Sequence, residues 1–331
     1  MKRENRTRLE TVIPLSTPFV VHIETHNLCN FKCKFCTECN DELYKKYNIK
    51  RGFMPYDTFC KIIDDMKDFP DKVKSLHLYL GGEPLLHKDM PKMIKYAKDS
   101  NVADEVIIFS NGALLTPELS DEIIAAGLDK IQFSIEGTSS EKYQQVTGVK
   151  VDYEKLINNI KYFYEHKREC TVYAKILDTN LTDQEKEKFT NDFKNISDSC
   201  YIETLLDITP HEDMDTSLGN GKTFTQEGKK IITKQVCTAP FYVMLVRWDG
   251  SVSPCGCGDW RRNYCVGNIN DSSMREIWNG TAWNEFRKIQ LRKQRNKIDI
   301  CKECKVIDNQ LDNIDLYADD LLDRMEKNDI K

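Results

Sequence analysis

Three cysteines lie close together in the run Cys29-Asn-Phe-Lys-Cys33-Lys-Phe-Cys36. Thiolates at this spacing can bind three corners of a four-iron cluster and leave the fourth iron open. A [4Fe–4S] cluster used only for electron transfer takes four thiolates, so a three-cysteine loop predicts a cluster that does chemistry at its vacant corner. Cys39 is the nearby candidate for a fourth ligand. It forms a CxxC with Cys36, but a redox pair would compete with the cluster for the same thiolate, and we assign Cys39 no role.

Such a loop needs a scaffold. From about residue 19 to residue 206, short β-branched or aliphatic runs alternate with amphipathic stretches, the pattern of a parallel sheet built from βα units. Strands are predicted over 19–24, 75–80, 105–109, 130–134, 171–176 and 201–206. Helix 153–166 carries Leu156, Ile157, Ile160, Phe163 and Tyr164 at helical spacing, and helix 183–195 follows Thr182 and Glu185 in capping-box register. Thr116-Pro117 marks another helix start. The class is α/β, and six units are too few to close an eight-stranded barrel. The expected architecture is therefore a partial (β/α)6 TIM-like open barrel over 1–206, with its mouth covered by the C-terminal third. A polar linker is expected over 207–236, a small cysteine-rich domain over 237–304, and an acidic amphipathic helix over 305–331. That helix places Leu311, Ile314, Leu321, Leu322 and Met325 on one stripe, expected to pack on the barrel.

The composition excludes some partners. A 331-residue chain with 40% hydrophobic residues can bury a sizeable core, and a net charge of −5 creates no field that gathers nucleic acid. The segment 11–21 is too short, and too broken by Pro14, Ser16, Thr17 and Pro18, to be a signal sequence. No apolar run approaches a bilayer's thickness, so no membrane partner and a cytoplasmic location are expected. Thirteen cysteines, an odd number, then read as metal ligands, reactive thiols or small core residues rather than disulfides.

In βα architectures function collects in the loops at the C-terminal strand ends. The cysteine triplet follows the first predicted strand there, Gly81-Gly82-Glu83-Pro84 the second, Ser110-Asn111-Gly112 the third, and Glu136-Gly137 the fourth. Gly81 and Gly82 allow close backbone approach to a ligand, and Glu83 with nearby carbonyls could accept hydrogen bonds from an ammonium group. Ser110, Asn111, Ser134 and Glu136 offer groups that hold ribose hydroxyls or a carboxylate. An open iron beside a site for an amino acid and a ribose points to S-adenosylmethionine.

With the Cys29-x3-Cys33-x-Phe35-Cys36 triplet, the Gly81–Pro84 segment and the six βα units, residues 17–206 resemble the radical S-adenosylmethionine superfamily. The resemblance implies a [4Fe–4S] cluster that holds S-adenosylmethionine at its open iron and reductively cleaves it to a 5′-deoxyadenosyl radical, which abstracts a hydrogen atom from an inert C–H bond. It also implies Phe35 against the adenine edge, Gly81 to Glu83 at the methionine amino group, and Ser110, Ser134 and Glu136 near ribose or carboxylate. Glu136 stands where many members have aspartate.

Cys237, Gly250 with Cys255, and Cys301-Lys-Glu-Cys304 resemble the auxiliary-cluster module called twitch, a shortened SPASM domain. The resemblance implies one closed auxiliary [4Fe–4S] cluster on Cys237, Cys255, Cys301 and Cys304. In isolation four such cysteines suit zinc equally well; beside a radical-cofactor barrel the iron–sulfur reading is preferred. Cys257 and Cys265 are left as alternative ligands or thiols near substrate. Cys60, Cys170 and Cys200 read as small buried hydrophobes, and His26 and His77 as satisfied structural histidines. The basic stretch 287–297 reads as a solvated helical face rather than a phosphate grip.

This layout is similar to the aminocyclitol and sugar dehydrogenases of the family. The expected reaction is oxidation of a secondary alcohol of a sugar, nucleotide sugar or aminocyclitol, with the auxiliary cluster as electron acceptor and a flavodoxin or ferredoxin as one-electron reductant. Two alternatives stand beside it: a radical epimerase or peptide-modifying enzyme with Cys257 or Cys265 as hydrogen-atom donor, and a non-catalytic iron–sulfur or zinc regulatory module. Nothing resembling a leader-peptide-binding domain precedes the barrel, which weighs against a peptide substrate.

Overall fold

The computed structural model describes residues 6–204, 230–256, 258–302 and 304–328. The apolar runs form parallel strands β1 (Val20–Ile23), β2 (Val73–His77), β3 (Ala103–Ser110), β4 (Lys130–Ile135), β5 (Thr171–Asp178) and β6 (Ser199–Thr204). β2 is shifted towards the N-terminus of the predicted 75–80, and Leu78 N–H still donates to the Ile107 carbonyl of β3 (2.9 Å). Two helices begin where their capping residues predict, with Thr116 capping Pro117–Ala126 and Thr182 with Glu185 forming a complete capping box on Asp183–Phe193; the structure adds Asp152 as the cap of Tyr153–His166.

The sheet does not end at β1. After the linker, β7 (Val243–Val246) pairs parallel to β1 on its free edge, and β8 (Ser251–Ser253) and β9 (Gly267–Asn268) continue antiparallel. Among the described residues the order is β6-β5-β4-β3-β2-β1-β7-β8-β9. The cysteine-rich segment therefore extends the sheet as well as adjoining the mouth. Asp249-Gly250 makes the β7–β8 turn, where Gly250 sits at φ +83° and a Cβ would lie 2.9 Å from Asn268 Oδ1.

Strand residues divide between two faces. Val21, Ile23, Leu76, Val106, Ile108, Ile131, Phe133, Val172 and Ala174 are buried with Phe59, Ile94, Ile123, Ile160 and Phe163 of the helices in one core. His22, Gln132, Ser134, Tyr173, Lys175, Tyr201 and Glu203 alternate with them and face the concave side.

The C-terminal segment corrects the single-helix expectation. A short helix Val306–Asn309 and a 3-10 turn Asp315–Tyr317 precede helix Ala318–Asn328. Ile314, Leu321 and Met325 are buried against Leu9, Ile13, Val236, Phe241 and Leu291, a separate core from that of the barrel, whereas Leu311 is exposed. Gln310-Leu311 breaks the helical register, so the stripe does not include Leu311. Of the expected linker, 207–229 lies outside the described residues.

Candidate active site

The cysteine triplet lies in the loop that leaves β1. Asn27 shapes this loop by accepting from Gly52 N–H (3.0 Å) and donating to the Lys50 carbonyl (2.8 Å), while Lys32 N–H donates to the Thr147 carbonyl (2.9 Å). Cys29, Cys33 and Cys36 are half-buried free thiols. Phe31 N–H donates to Cys29 Sγ (3.4 Å), and the Asn111 amide reaches it at 3.9 Å. Cys39, which the sequence leaves without a role, adjoins this set, and its thiol holds the Cys29 thiol below its ordinary range. Burial, aided by Glu136, pushes the Cys33 thiol well up.

The Gly81–Pro84 turn lies directly on this loop. Glu83 N–H donates to the Leu28 carbonyl (2.8 Å), and a Cβ on Gly82 would lie 2.5 Å from that oxygen. Only glycine permits that approach. The Glu83 carboxylate is occupied by its own chain: it accepts from Ser110 Oγ (2.7 Å), Asn111 N–H (2.7 Å) and Leu85 N–H (3.0 Å). Burial pushes its pKa up to about 7 against those three donors. Glu83 and Ser110 thus brace the turn to the end of β3, while Asn111 donates to Asn30 Oδ1 (2.8 Å) beside Cys29. An ammonium group at this turn would meet main-chain carbonyls, not a free Glu83 carboxylate.

On the concave side, Glu136 follows β4, and burial pushes it up to about 7 with Lys175 opposing. Ser134, Lys175 and Tyr201 share one register row. Lys175 Nζ pairs with Glu203 (2.9 Å), and Tyr201 OH donates to Gln132 (2.7 Å). Sequence reasoning missed Lys175, Tyr201 and Glu203. Their signal was the polar half of the period-2 alternation in Lys130–Ile135, Thr171–Asp178 and Ser199–Thr204.

The second cysteine set collects around Gly258, where a Cβ would lie 3.4 Å from Cys255 Sγ and 3.5 Å from Cys304 Sγ. Gln310 Nε2 donates to Cys237 Sγ (3.1 Å), Gln290 Nε2 to Cys301 Sγ (3.4 Å) and Gly258 N–H to Cys255 Sγ (3.1 Å). Cys265 is exposed, with its thiol turned to the Gly267 carbonyl (2.9 Å), and Cys257 lies outside the described residues.

Arg262 connects the two sets. It follows Asp259, which pairs with buried Arg247 and accepts from Asn263 N–H (3.0 Å) and Tyr264 N–H (3.2 Å), and it adopts φ +56°. Its guanidinium forks onto Glu24 (2.5 and 2.6 Å) at the end of β1 and reaches Glu38 (2.7 Å), two residues past Cys36. Tyr44 OH also donates to Glu38. A Cβ on Gly81 would lie 2.5–2.7 Å from these three side chains.

The basic stretch is a solvated face only in part: Arg292, Lys293 and Lys297 are exposed, but Arg287 and Arg295 are engaged by the fold. Arg287 is buried, donates to the Pro240 and Trp278 carbonyls (both 3.0 Å) and stacks 4.0 Å from the Trp278 ring; Arg295 donates to the Cys301 and Cys304 carbonyls (2.5 and 2.6 Å). Phe35 is half-buried on the cysteine loop. His26 is buried, its Nδ1 accepting from Leu28 N–H (3.1 Å) and its Nε2 without a partner, so it is only half satisfied.

Among the described residues no three His, Cys, Asp or Glu side chains are arranged to hold a single metal ion. A cluster poses a different requirement, since each thiolate takes its own corner. Both sets are sulfur donors, and N–H groups point at Cys29, Cys237, Cys255 and Cys301, which suits thiolates bound to iron.

A family model described as the radical SAM superfamily matches residues 23–192, and one described as SPASM, an iron–sulfur cluster-binding domain, matches 237–305. A tungsten-containing aldehyde ferredoxin oxidoreductase cofactor-modifying protein of Pyrococcus furiosus is 25% identical, with 81% of this chain and 82% of that protein covered. The S-adenosyl-L-methionine-dependent 2-deoxy-scyllo-inosamine dehydrogenase of Niallia circulans is 23% identical, with 88% and 94% covered. The crystal structure of BtrN in complex with AdoMet and 2-DOIA shares the fold with a TM-score of 0.54 at 19% identity, covering 90% of this chain and 97% of that one.

Proposed function

The chain belongs to the radical S-adenosylmethionine superfamily, and from that premise we propose that it is a dehydrogenase oxidising a secondary alcohol of an aminocyclitol or sugar-like small molecule to a ketone. Such a chain binds S-adenosylmethionine and a [4Fe–4S] cluster, and its SPASM domain binds auxiliary iron–sulfur. Bound together, these groups supply a hydrogen-abstracting radical and an acceptor for the second electron.

The chain's residues have separate tasks in this reading. Cys29, Cys33 and Cys36 hold the first cluster, and Cys237, Cys255, Cys301 and Cys304 one auxiliary [4Fe–4S] cluster. Gly81 and Gly82 present carbonyls to the methionine amino group, while Glu83 and Ser110 keep that turn in place. Phe35, Asn111, Ser134 and Glu136 border the nucleoside. Lys175 and Glu203 face the concave side, where a substrate hydroxyl would sit. With the bound groups abstracting the carbinol hydrogen and accepting the departing electron, the Glu203 carboxylate would take the hydroxyl proton and Lys175 would stabilise the oxygen that loses it. A flavodoxin or ferredoxin supplies the reducing electron.

The observation that carries the reading is Arg262, which emerges from the second cysteine module and pairs with Glu38 beside Cys36. It supports neighbouring sites for the abstraction and for the electron acceptor. The dehydrogenase relative, covered over 94% of its length, supports the same reaction class. Exposed Cys265, turned to its own backbone, gives no support to an epimerase that returns hydrogen through that thiol.

The test is an anaerobic assay with 2-deoxy-scyllo-inosamine and related alcohols, following ketone and 5′-deoxyadenosine. Glu203→Gln is expected to lower kcat by about 10²–10⁴-fold, the range typical of general-base catalysis, while S-adenosylmethionine binding is kept. An unchanged kcat would remove Glu203 from the reaction.

A further inference from the structure

The second cysteine set is surrounded by donors from segments that carry none of its cysteines. Gln290, fully buried in helix Thr281–Leu291, uses both ends of its amide: Oε1 accepts from Cys237 N–H (3.4 Å) and Nε2 donates to Cys301 Sγ (3.4 Å). Gln310 does the same from the other side. Its Oε1 accepts from Thr238 N–H and Thr238 Oγ1 (both 2.8 Å), and its Nε2 donates to Cys237 Sγ (3.1 Å). Because each carbonyl end is held by a backbone N–H, the amide nitrogen has to face sulfur. The orientation follows from the network.

We propose that Gln290 and Gln310 are positioning residues that raise the reduction potential of the auxiliary centre, making it a better electron acceptor. The inference rests on the reading that Cys237, Cys255, Cys301 and Cys304 hold that centre. Hydrogen bonds to cluster sulfurs stabilise the more negative, reduced state, as does nearby positive charge. The Arg295 guanidinium supplies that charge, anchored on the Cys301 and Cys304 carbonyls. Gln290 in addition joins two cysteine segments 64 residues apart (301 − 237), since it bonds both Cys237 and Cys301.

The test is a redox titration followed by electron paramagnetic resonance on the cluster-loaded full chain, comparing wild type with Gln290→Met and Gln310→Met. The auxiliary signal is identified as the one that persists in a Cys29/Cys33/Cys36 triple alanine variant. At the wild-type midpoint, each substitution is expected to lower the ratio of reduced to oxidised centre about tenfold, a shift of about 59 mV for one electron. Iron and sulfide analysis accompanies each titration. If Gln290→Met fails to assemble the cluster, Gln310→Met, whose side chain is less buried, decides alone. Unmoved midpoints at full iron content would overturn the proposal and leave the ligand assignment standing. Absence of iron and sulfide from the triple alanine variant would overturn both.

Discussion

Residues at the two loops do different work from what their types suggest in isolation. Glu83 could accept from a ligand's ammonium group, but in the fold its oxygens are taken by Ser110, Asn111 and Leu85. Glu83→Gln would turn an amide N–H₂ towards at least one of these donors and leave it unpaired, at a cost of about 1–3 kcal/mol. The expected outcome is a lower thermal midpoint together with weakened S-adenosylmethionine binding in equilibrium dialysis; unchanged binding would show that the brace is dispensable. His26 gives a pH-dependent effect. Burial and neighbouring His87 push its pKa down to about 4 from 6.5, so its contribution is present above pH 6.5 and is lost as the pH falls towards 4. Between pH 8 and pH 5.5 this amounts to a loss on the order of 1 kcal/mol, and His26→Gln should flatten the urea-midpoint profile accordingly. Equal slopes in both proteins would contradict it. Cysteine spacing and the Gly81–Pro84 turn were legible because covalent spacing and missing side chains are local properties. The partners of Glu83, Gln290 and Gln310 were not, because long-range packing sets them.

At the scale of elements, the barrel strands and helices were legible from alternation, from the apolar stripe of helix 153–166, and from Thr116 and Thr182. β7 was not. Val243–Val246 is a four-residue apolar run, too short to tell from any buried segment, and its place beside β1 is fixed by pairing across more than two hundred residues. The C-terminal helix misled for a related reason, since a periodic stripe gives no warning of the break near Gln310. Met244 is fully buried on β7. Met244→Asp places an unpaired charge in the core and is expected to cost on the order of 3 kcal/mol. Detachment of the second module should follow, seen as selective loss of auxiliary iron and faster proteolysis after residue 230. Retention of all iron would mean that β7 does not dock the module.

For the whole molecule, the described residues include no helix long and apolar enough to cross a membrane. The two cysteine modules are held together by one sheet and by the Arg262–Glu24–Glu38 cluster. Glu24 is fully buried, so Arg262→Met strands its charge at a cost of about 3–5 kcal/mol, and adding Glu24→Gln should restore much of the loss. Equal thermal midpoints for the single and double variants would contradict that coupling. The direct test of the proposed oxidation is the product balance of one anaerobic turnover experiment in deuterated buffer, with an aminocyclitol substrate and excess reductant. The account predicts equal amounts of ketone and 5′-deoxyadenosine, with no deuterium at the carbinol carbon of recovered substrate and no product from Cys33→Ala. Consumption of S-adenosylmethionine with substrate returned at its original oxidation level, carrying solvent deuterium at that carbon, would contradict it.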